Sequence, residues 1–218
     1  MGGKTVLIDA QTIALFIPTV LLLVLSPGPD MVFITANAVS SGRRGGIASA
    51  LGCTSGAFAH AVFAAFGLTT IIAAWQPAYE LVRIGGAAYL AFLGVKMLLA
   101  KESPLSVSAA GKAKSDHQLY REGMLNNLMN PKAILFSLTF LPQFANPERG
   151  PIWAQMILLG VILALIMLVV EVPIAITSGH LGQWFATRTK AALALNRAMG
   201  VALIGLAAWV FQSRRFAH

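Results

Sequence analysis

Charged residues and cysteine are scarce in this chain. Only 11% of its 218 residues are charged and 57% are hydrophobic, whereas a soluble domain carries about 25% charged residues. This composition excludes an ordinary soluble domain and predicts a protein that lies in lipid. The single cysteine, Cys53, excludes an intramolecular disulfide and a cysteine-rich metal site. We therefore expect no metal and no cofactor.

Acidic residues are also few, with eight Asp and Glu against 16 Lys and Arg. The net charge of +8 could indicate nucleic-acid binding, but the basic residues are spread between apolar segments rather than gathered on one face. We therefore expect contact with anionic membrane lipid and no nucleic acid. No nucleophile–base pair, phosphate-binding glycine loop or metal-ligand spacing is present, so we do not expect an enzyme.

Six apolar stretches are long enough to cross a bilayer, which takes about 20 residues. They are 10–39, 47–75, 78–100, 122–144, 152–177 and 191–212. We interpret the polar stretch 101–120 as a cytoplasmic linker that divides a single transmembrane domain into 1–100 and 121–218. Because each half holds three segments, the second half must enter the membrane inverted relative to the first.

The distribution of Lys and Arg predicts that both termini lie outside the cytoplasm. With the first inter-segment loop placed inside, ten of the 16 basic residues face the cytoplasm and five face outward. Cytoplasmic loops carry the excess of basic residues in membrane proteins. The remaining basic residue, Lys132, falls within a span.

Proline interrupts the first and the fourth segments. Pro27-Gly28-Pro29-Asp30 breaks the first segment, and Asn130-Pro131-Lys132 breaks the fourth. The fold class is therefore an all-α polytopic membrane protein of about six helices, arranged as two inverted three-helix repeats with broken first helices. Breaks at corresponding places in two halves indicate the binding site of a transporter. The predicted substrate-binding residues are Pro27, Gly28, Pro29, Asp30, Asn126, Asn130, Pro131 and Lys132.

Three ionisable residues lie deep in the apolar segments, where a charge costs at least about 2.5–3.5 kcal/mol. Asp30 follows Pro29 at the predicted start of a helix, where it is either a capping residue or a functional one. Lys132 lies roughly 15 Å deep at the unfavourable positive end of a helix, so it needs a carboxylate from Asp30, Glu171 or a substrate. Glu171 lies either within the fifth segment or in the headgroup region. We predict proton-coupling roles for Asp30 and Glu171.

Gly52 and Gly56 form a small-xxx-small pair in the second segment. Such a pair predicts a close helix contact or the face of a homodimer. His60 follows on the same segment and is interpreted as a packing residue or a proton relay.

Several motifs resemble one family along essentially the whole chain. They are Pro27-Gly28-Pro29-Asp30, Gly42-Arg43-Arg44-Gly45-Gly46 with Ala50-Leu51-Gly52, Leu128-Met129-Asn130-Pro131-Lys132-Ala133, and Phe140-Leu141-Pro142-Gln143-Phe144. Together and in this order they resemble the LysE/RhtB family of bacterial exporters of lysine, homoserine, threonine, leucine and related amino acids. The resemblance implies a multi-pass protein of the bacterial inner membrane that exports an amino acid from the cytoplasm, driven by the proton gradient.

These observations predict an amino-acid exporter that works by alternating access. Lys132 and the helix N-termini at the two breaks would hold the substrate carboxylate, while Asp30 or Glu171 would hold its ammonium group or carry the proton. In the empty site, Asp30 and Lys132 are expected to neutralise each other. Two alternatives remain: a cation or heavy-metal efflux protein on a related scaffold, and a membrane assembly protein that transports nothing.

Overall fold

The chain folds into seven α-helices, with no strand in the parts described. The computed structural model describes residues 7–74, 76–100, 114–187 and 189–212. The helices are α1 (Ala10–Leu25), α2 (Pro29–Ala74), α3 (Gln76–Leu99), α4 (Asp116–Leu128), α5 (Pro131–Leu135), α6 (Ile152–Thr187) and α7 (Thr189–Gln212). A π-helical turn, Phe136–Phe140, and two 3-10 turns, Leu141–Phe144 and Pro147–Arg149, join α5 to α6. This all-helical, apolar chain is a polytopic membrane protein, as predicted.

Both predicted helix breaks are present. The first segment stops at Leu25 and resumes at Pro29, and the fourth stops at Leu128 and resumes at Pro131. Proline fixes its own φ and lacks an N–H, so it is tolerated in the first turn of a helix and begins the second piece in each case. Asn130 caps the second of these helices, because its side chain accepts a hydrogen bond from the backbone N–H of Lys132 at 3.0 Å.

Two helices extend beyond the apolar segments that the sequence predicts. α4 begins at Asp116 rather than at 122, because the Ser115 side chain accepts the N–H of Gln118 and caps the helix there. Residues 116–120 of the predicted linker are therefore helical, and its residues 101–113 lie outside the described ones, so the linker stays a prediction. α6 continues ten residues past the predicted end of its segment, to Thr187, since a helix is not limited to the apolar stretch that crosses the bilayer.

α2 bends back on itself at Gly42, which separates the arms 29–41 and 43–74. Gly42 has φ 74° and ψ −178°, a conformation that glycine adopts and other residues avoid. The Asn37 side chain donates to the Ser49 hydroxyl at 3.1 Å, although these residues would be about 18 Å apart along a straight helix. The first arm therefore leads from the break to an exposed turn, and the second arm returns beside it.

The second arm of α2 packs against α4 and α6, and α3 packs against α7. A Cβ on Gly52 would overlap the carbonyl oxygen of Tyr120, and one on Gly56 would lie 2.8 Å from that of Met124. The backbones of α2 and α4 can approach this closely only because both positions lack side chains. The structure thus places Gly52 and Gly56 in an intramolecular helix contact, and α4 occupies the face that we considered for a homodimer.

Each of two ion pairs joins residues that lie on the same side of the membrane in the predicted topology. Arg149 pairs with Asp9 ahead of α1 at 3.1 Å, and both were predicted to lie outside. The backbone N–H of Thr12 lowers the pKa of the Asp9 carboxyl and Arg149 lowers it further. Lys114, predicted to lie inside, pairs with Glu122 of α4 at 2.6 Å. Which group faces the cytoplasm stays a prediction.

Candidate functional site

Asp30 connects the first break to the second. As the second residue of α2, it lies where the helix dipole favours a negative charge. Its carboxylate accepts three side-chain amide hydrogen bonds, from Asn126 at 2.7 Å, Asn127 at 2.9 Å and Asn130 at 3.1 Å. These three asparagines lie at the end of α4 and at the cap of α5. The carboxylate of one half is therefore held by amides of the other.

Lys132 belongs to the second half and hydrogen-bonds to the first. It is the second residue of α5, and its Nζ donates to the carbonyl oxygens of Leu23 at 2.8 Å and Ser26 at 3.0 Å. Those carbonyls lie at the end of α1, where the helix dipole is negative and favours a cation. The dipole of α1 thus compensates the unfavourable position of Lys132 on its own helix.

Asp30 and Lys132, which were expected to neutralise each other, are not joined by a direct salt bridge. No ion pair within 4.0 Å joins them in the described part of the chain. Each charged group is instead hydrogen-bonded to polar groups of the opposite half. The carboxylate accepts from three amides, and the ammonium group donates to two carbonyls. Sequence reasoning paired the two residues because it considered side chains and left out the helix ends as partners.

A cavity of about 50 Å³ lies between the two breaks and α6. Of the predicted binding residues, Gly28, Asp30, Asn130 and Lys132 line it. Pro27 is buried away from it, while Pro29, Pro131 and Asn126 line an open groove on the side of α2 and α4. The prolines therefore shape the helix ends without facing the cavity. α6 contributes Leu163, Met167, Glu171 and Ile174 to its walls.

Glu171 lies within the protein and not at the end of its helix. It falls near the middle of α6, is 6% exposed and lines the same cavity as Asp30 and Lys132. Its Oε2 atom is buried and has no hydrogen-bond partner among the described residues. Glu171 therefore faces the interior of the protein beside Asp30 and Lys132, and its depth in the bilayer stays a prediction.

Asn127 lines the cavity but is absent from the predicted binding residues. It is 1% exposed, donates to Asp30 and lines the cavity. Its backbone carbonyl lies 3.2 Å from Nε2 of His60 on α2, so His60 supports the asparagine that holds Asp30. The signal was available, because three asparagines lie within five residues of an apolar segment.

The comparisons with known proteins agree with this architecture. The family model described as LysE type translocator matches residues 21–213, a range that includes both breaks and Glu171. The chain belongs to this family. It is therefore a membrane translocator of the amino-acid efflux type, whose family is not one of enzymes.

Two of the similar proteins are named as efflux proteins. The homoserine/homoserine lactone efflux protein of Salmonella typhimurium is 31% identical over 85% of this chain and 88% of its own length. The protein of the same name from Salmonella typhi is also 31% identical with the same coverage. The uncharacterized membrane protein YrhP of Bacillus subtilis is 29% identical over 87% of this chain and 93% of its own. No solved structure matches the chain.

Proposed function

We propose that this LysE type translocator exports small amino acids and their close derivatives across the bacterial inner membrane by alternating access. The proposal rests on the two charged residues at the helix breaks, each of which is hydrogen-bonded to the opposite half of the chain; we call them the crossed charges. Asp30 and Lys132 are each anchored to the opposite half, and both line one cavity with Glu171. Intramembrane ionisable residues that face a cavity commonly mark the substrate path of a transporter.

Lys132 is suited to the substrate carboxylate. An ammonium group has three donors, and two of them are used by the carbonyls at the end of α1. The third donor is available to a ligand. Gly28 keeps the space beside it open, because a Cβ there would lie 3.5 Å from Nζ.

The cargo that we consider first is homoserine or homoserine lactone, the compounds in the names of the two Salmonella relatives. Both are small, which fits a site enclosed by α1, α2, α5 and α6. The cavity of about 50 Å³ has room for a few water molecules rather than for a whole amino acid. Loading and release therefore require the helices around the breaks to separate, first on one side and then on the other.

An inverted repeat would supply this motion. Pro29 and Pro131 begin the second helix pieces of the two halves and are 102 residues apart. Gly94 on α3 and Gly200 on α7 are 106 residues apart, and a Cβ on either one would meet the carbonyl oxygen of the other, at 2.6 and 2.7 Å. Reciprocal contacts at nearly constant spacing support two halves related by a pseudo-twofold axis, which could rock against each other.

Proton coupling would use the carboxylates of the site. Asp30 and Glu171 are the two acidic residues that line the cavity, and a buried carboxylate can exchange protons when its surroundings change. Inward movement of a proton through such a group would drive outward movement of the amino acid.

Transport in proteoliposomes tests the proposal. Vesicles containing the purified protein are loaded with labelled homoserine, homoserine lactone, threonine or leucine, or with a divalent cation, and a pH gradient is imposed. We expect the gradient to accelerate the efflux of at least one amino acid, with protein-free vesicles as the control. Efflux of only the divalent cation, or of none of these solutes, would contradict the proposal.

A further inference from the structure

Three buried oxygen atoms around the cavity lack hydrogen-bond partners among the described residues. They are Oε2 of Glu171, Oδ1 of Asn127 and Oγ1 of Thr54. Glu171 and Asn127 line the cavity. Thr54 lies close to the Glu171 carboxylate, although its hydroxyl is outside hydrogen-bond geometry. Buried polar atoms are nearly always hydrogen-bonded, so an unpaired cluster beside a cavity needs an explanation.

The unpaired atoms are of one chemical kind. The carboxylate and amide oxygens accept hydrogen bonds, and the Thr54 hydroxyl can also accept. The Asn127 and Asn130 amides beside the cavity already donate to Asp30. Lys132 gives two donors to the end of α1, and its third donor is the one that we assign to the substrate carboxylate. A ligand that satisfies these oxygens must therefore bring its own donors. A small cationic N–H group meets that requirement.

Asp30 is less suited to this task than Glu171. Its two oxygens already accept three amide hydrogen bonds that join the two halves, and a ligand would have to compete with them. Glu171 is 6% exposed and has an unpaired oxygen at the cavity. The two carboxylates therefore differ in role, with Asp30 as a positioning residue for the asparagines.

We propose that Glu171, together with Asn127, forms the subsite for the ammonium group of the substrate. This inference rests on the proposed function and deepens it by naming the substrate class: small primary amines, whose carboxylate adds affinity through Lys132 but is not required. The two compounds in the Salmonella names fit this class. Homoserine has both charged groups, and its lactone keeps the amine and has no carboxylate.

The same subsite gives a direct form of proton exchange. An ammonium group bound at Oε2 of Glu171 and a proton bonded to that oxygen exclude each other. In such a cycle the amine is released on one side of the membrane and the carboxylate takes up a proton there. The site then turns to the other side and loses the proton, so that one proton is exchanged for one amine. No further acidic residue is needed for this cycle.

Binding of three related ligands to the purified full-length protein tests the subsite. The ligands are homoserine, homoserine lactone and N-acetylhomoserine, which has the carboxylate but no ammonium group. We expect Glu171→Gln, which keeps the shape of the side chain, to weaken homoserine and its lactone at least about tenfold and to leave N-acetylhomoserine unchanged. Glu148→Gln is the matched control, because Glu148 is exposed on the 3-10 turn Pro147–Arg149.

A second measurement uses the unaltered protein and so does not depend on how the variant folds. Glu171 is modified with an apolar carbodiimide and the modified peptide is quantified by mass spectrometry. Homoserine lactone should protect Glu171, and N-acetylhomoserine should not. Equal binding of the lactone to wild type and Glu171→Gln, or equal protection by both ligands, would overturn the subsite. Failure of the wild type to bind any of the three would instead overturn the proposed function.

Discussion

Replacing Asp30 by alanine removes the one acceptor shared by three asparagine amides. Two of these donors, on Asn127 and Asn130, are 1% and 4% exposed. A buried donor left without a partner costs about 1–3 kcal/mol, so the two together should lower the free energy of unfolding by about 2–6 kcal/mol. Asn126 is partly exposed and can bond to water, so it adds little.

Asp30→Asn is the matched comparison because it removes the charge and keeps the shape. If the Asn126 amide rotates by half a turn, its oxygen accepts from the introduced amide, whose own oxygen still accepts from Asn127 and Asn130. The number of hydrogen bonds is then unchanged and only their charge assistance is lost. We expect a cost of about 1–2 kcal/mol, since charged hydrogen bonds contribute more than neutral ones.

Unfolding of both variants in mixed detergent micelles, followed by circular dichroism, gives the two free energies. We expect Asp30→Ala to be the less stable variant, because its cost of about 2–6 kcal/mol is larger than the cost of about 1–2 kcal/mol for Asp30→Asn. If alanine were tolerated as well as asparagine, the carboxylate would not be holding the three amides in the folded protein. The crossed arrangement of charges would then be wrong.

Two further predictions concern glycines. Gly52→Ala should destabilise the protein by about 1–3 kcal/mol, the usual cost of overpacking, because its Cβ would overlap the Tyr120 carbonyl. Gly67 on the same helix has open space around it, so Gly67→Ala should stabilise the protein by up to about 1 kcal/mol. If both changes destabilise the protein in thermal unfolding, the close packing of α2 on α4 at Gly52 is not the cause. Gly28→Ala places a methyl group 3.5 Å from Lys132 Nζ and should weaken homoserine more than its lactone in a binding titration; equal weakening would contradict the role of Lys132.

The helix breaks could be predicted from the sequence because their causes are local. The fixed φ and missing N–H of Pro29 and Pro131 disfavour a continuous helix whatever surrounds them. The small-residue spacing of Gly52 and Gly56 likewise predicts a close helix contact. It does not identify the partner, and the choice between α4 and a second copy of the chain needed the folded structure.

The partners of the charged residues could not be predicted, because they depend on which helix ends meet across the fold. Lys132 is placed unfavourably when only its own helix is considered, and it becomes stable only because the C-terminus of α1 lies within its reach. Glu171 presents the same problem. The sequence left its depth open, and only the fold places the residue at the cavity with Asp30 and Lys132.

A single distance tests the central claim, that a substrate binds between the two breaks with its carboxylate on Lys132. Solid-state NMR can measure the dipolar coupling between ¹⁵N-labelled lysine Nζ and homoserine labelled with ¹³C at the carboxyl carbon, in lipid. We predict a coupling that corresponds to about 4 Å or less, as for a direct ammonium–carboxylate hydrogen bond, and its loss in Lys132→Met. A bound homoserine that shows no coupling, or a coupling that persists in Lys132→Met, would contradict the account.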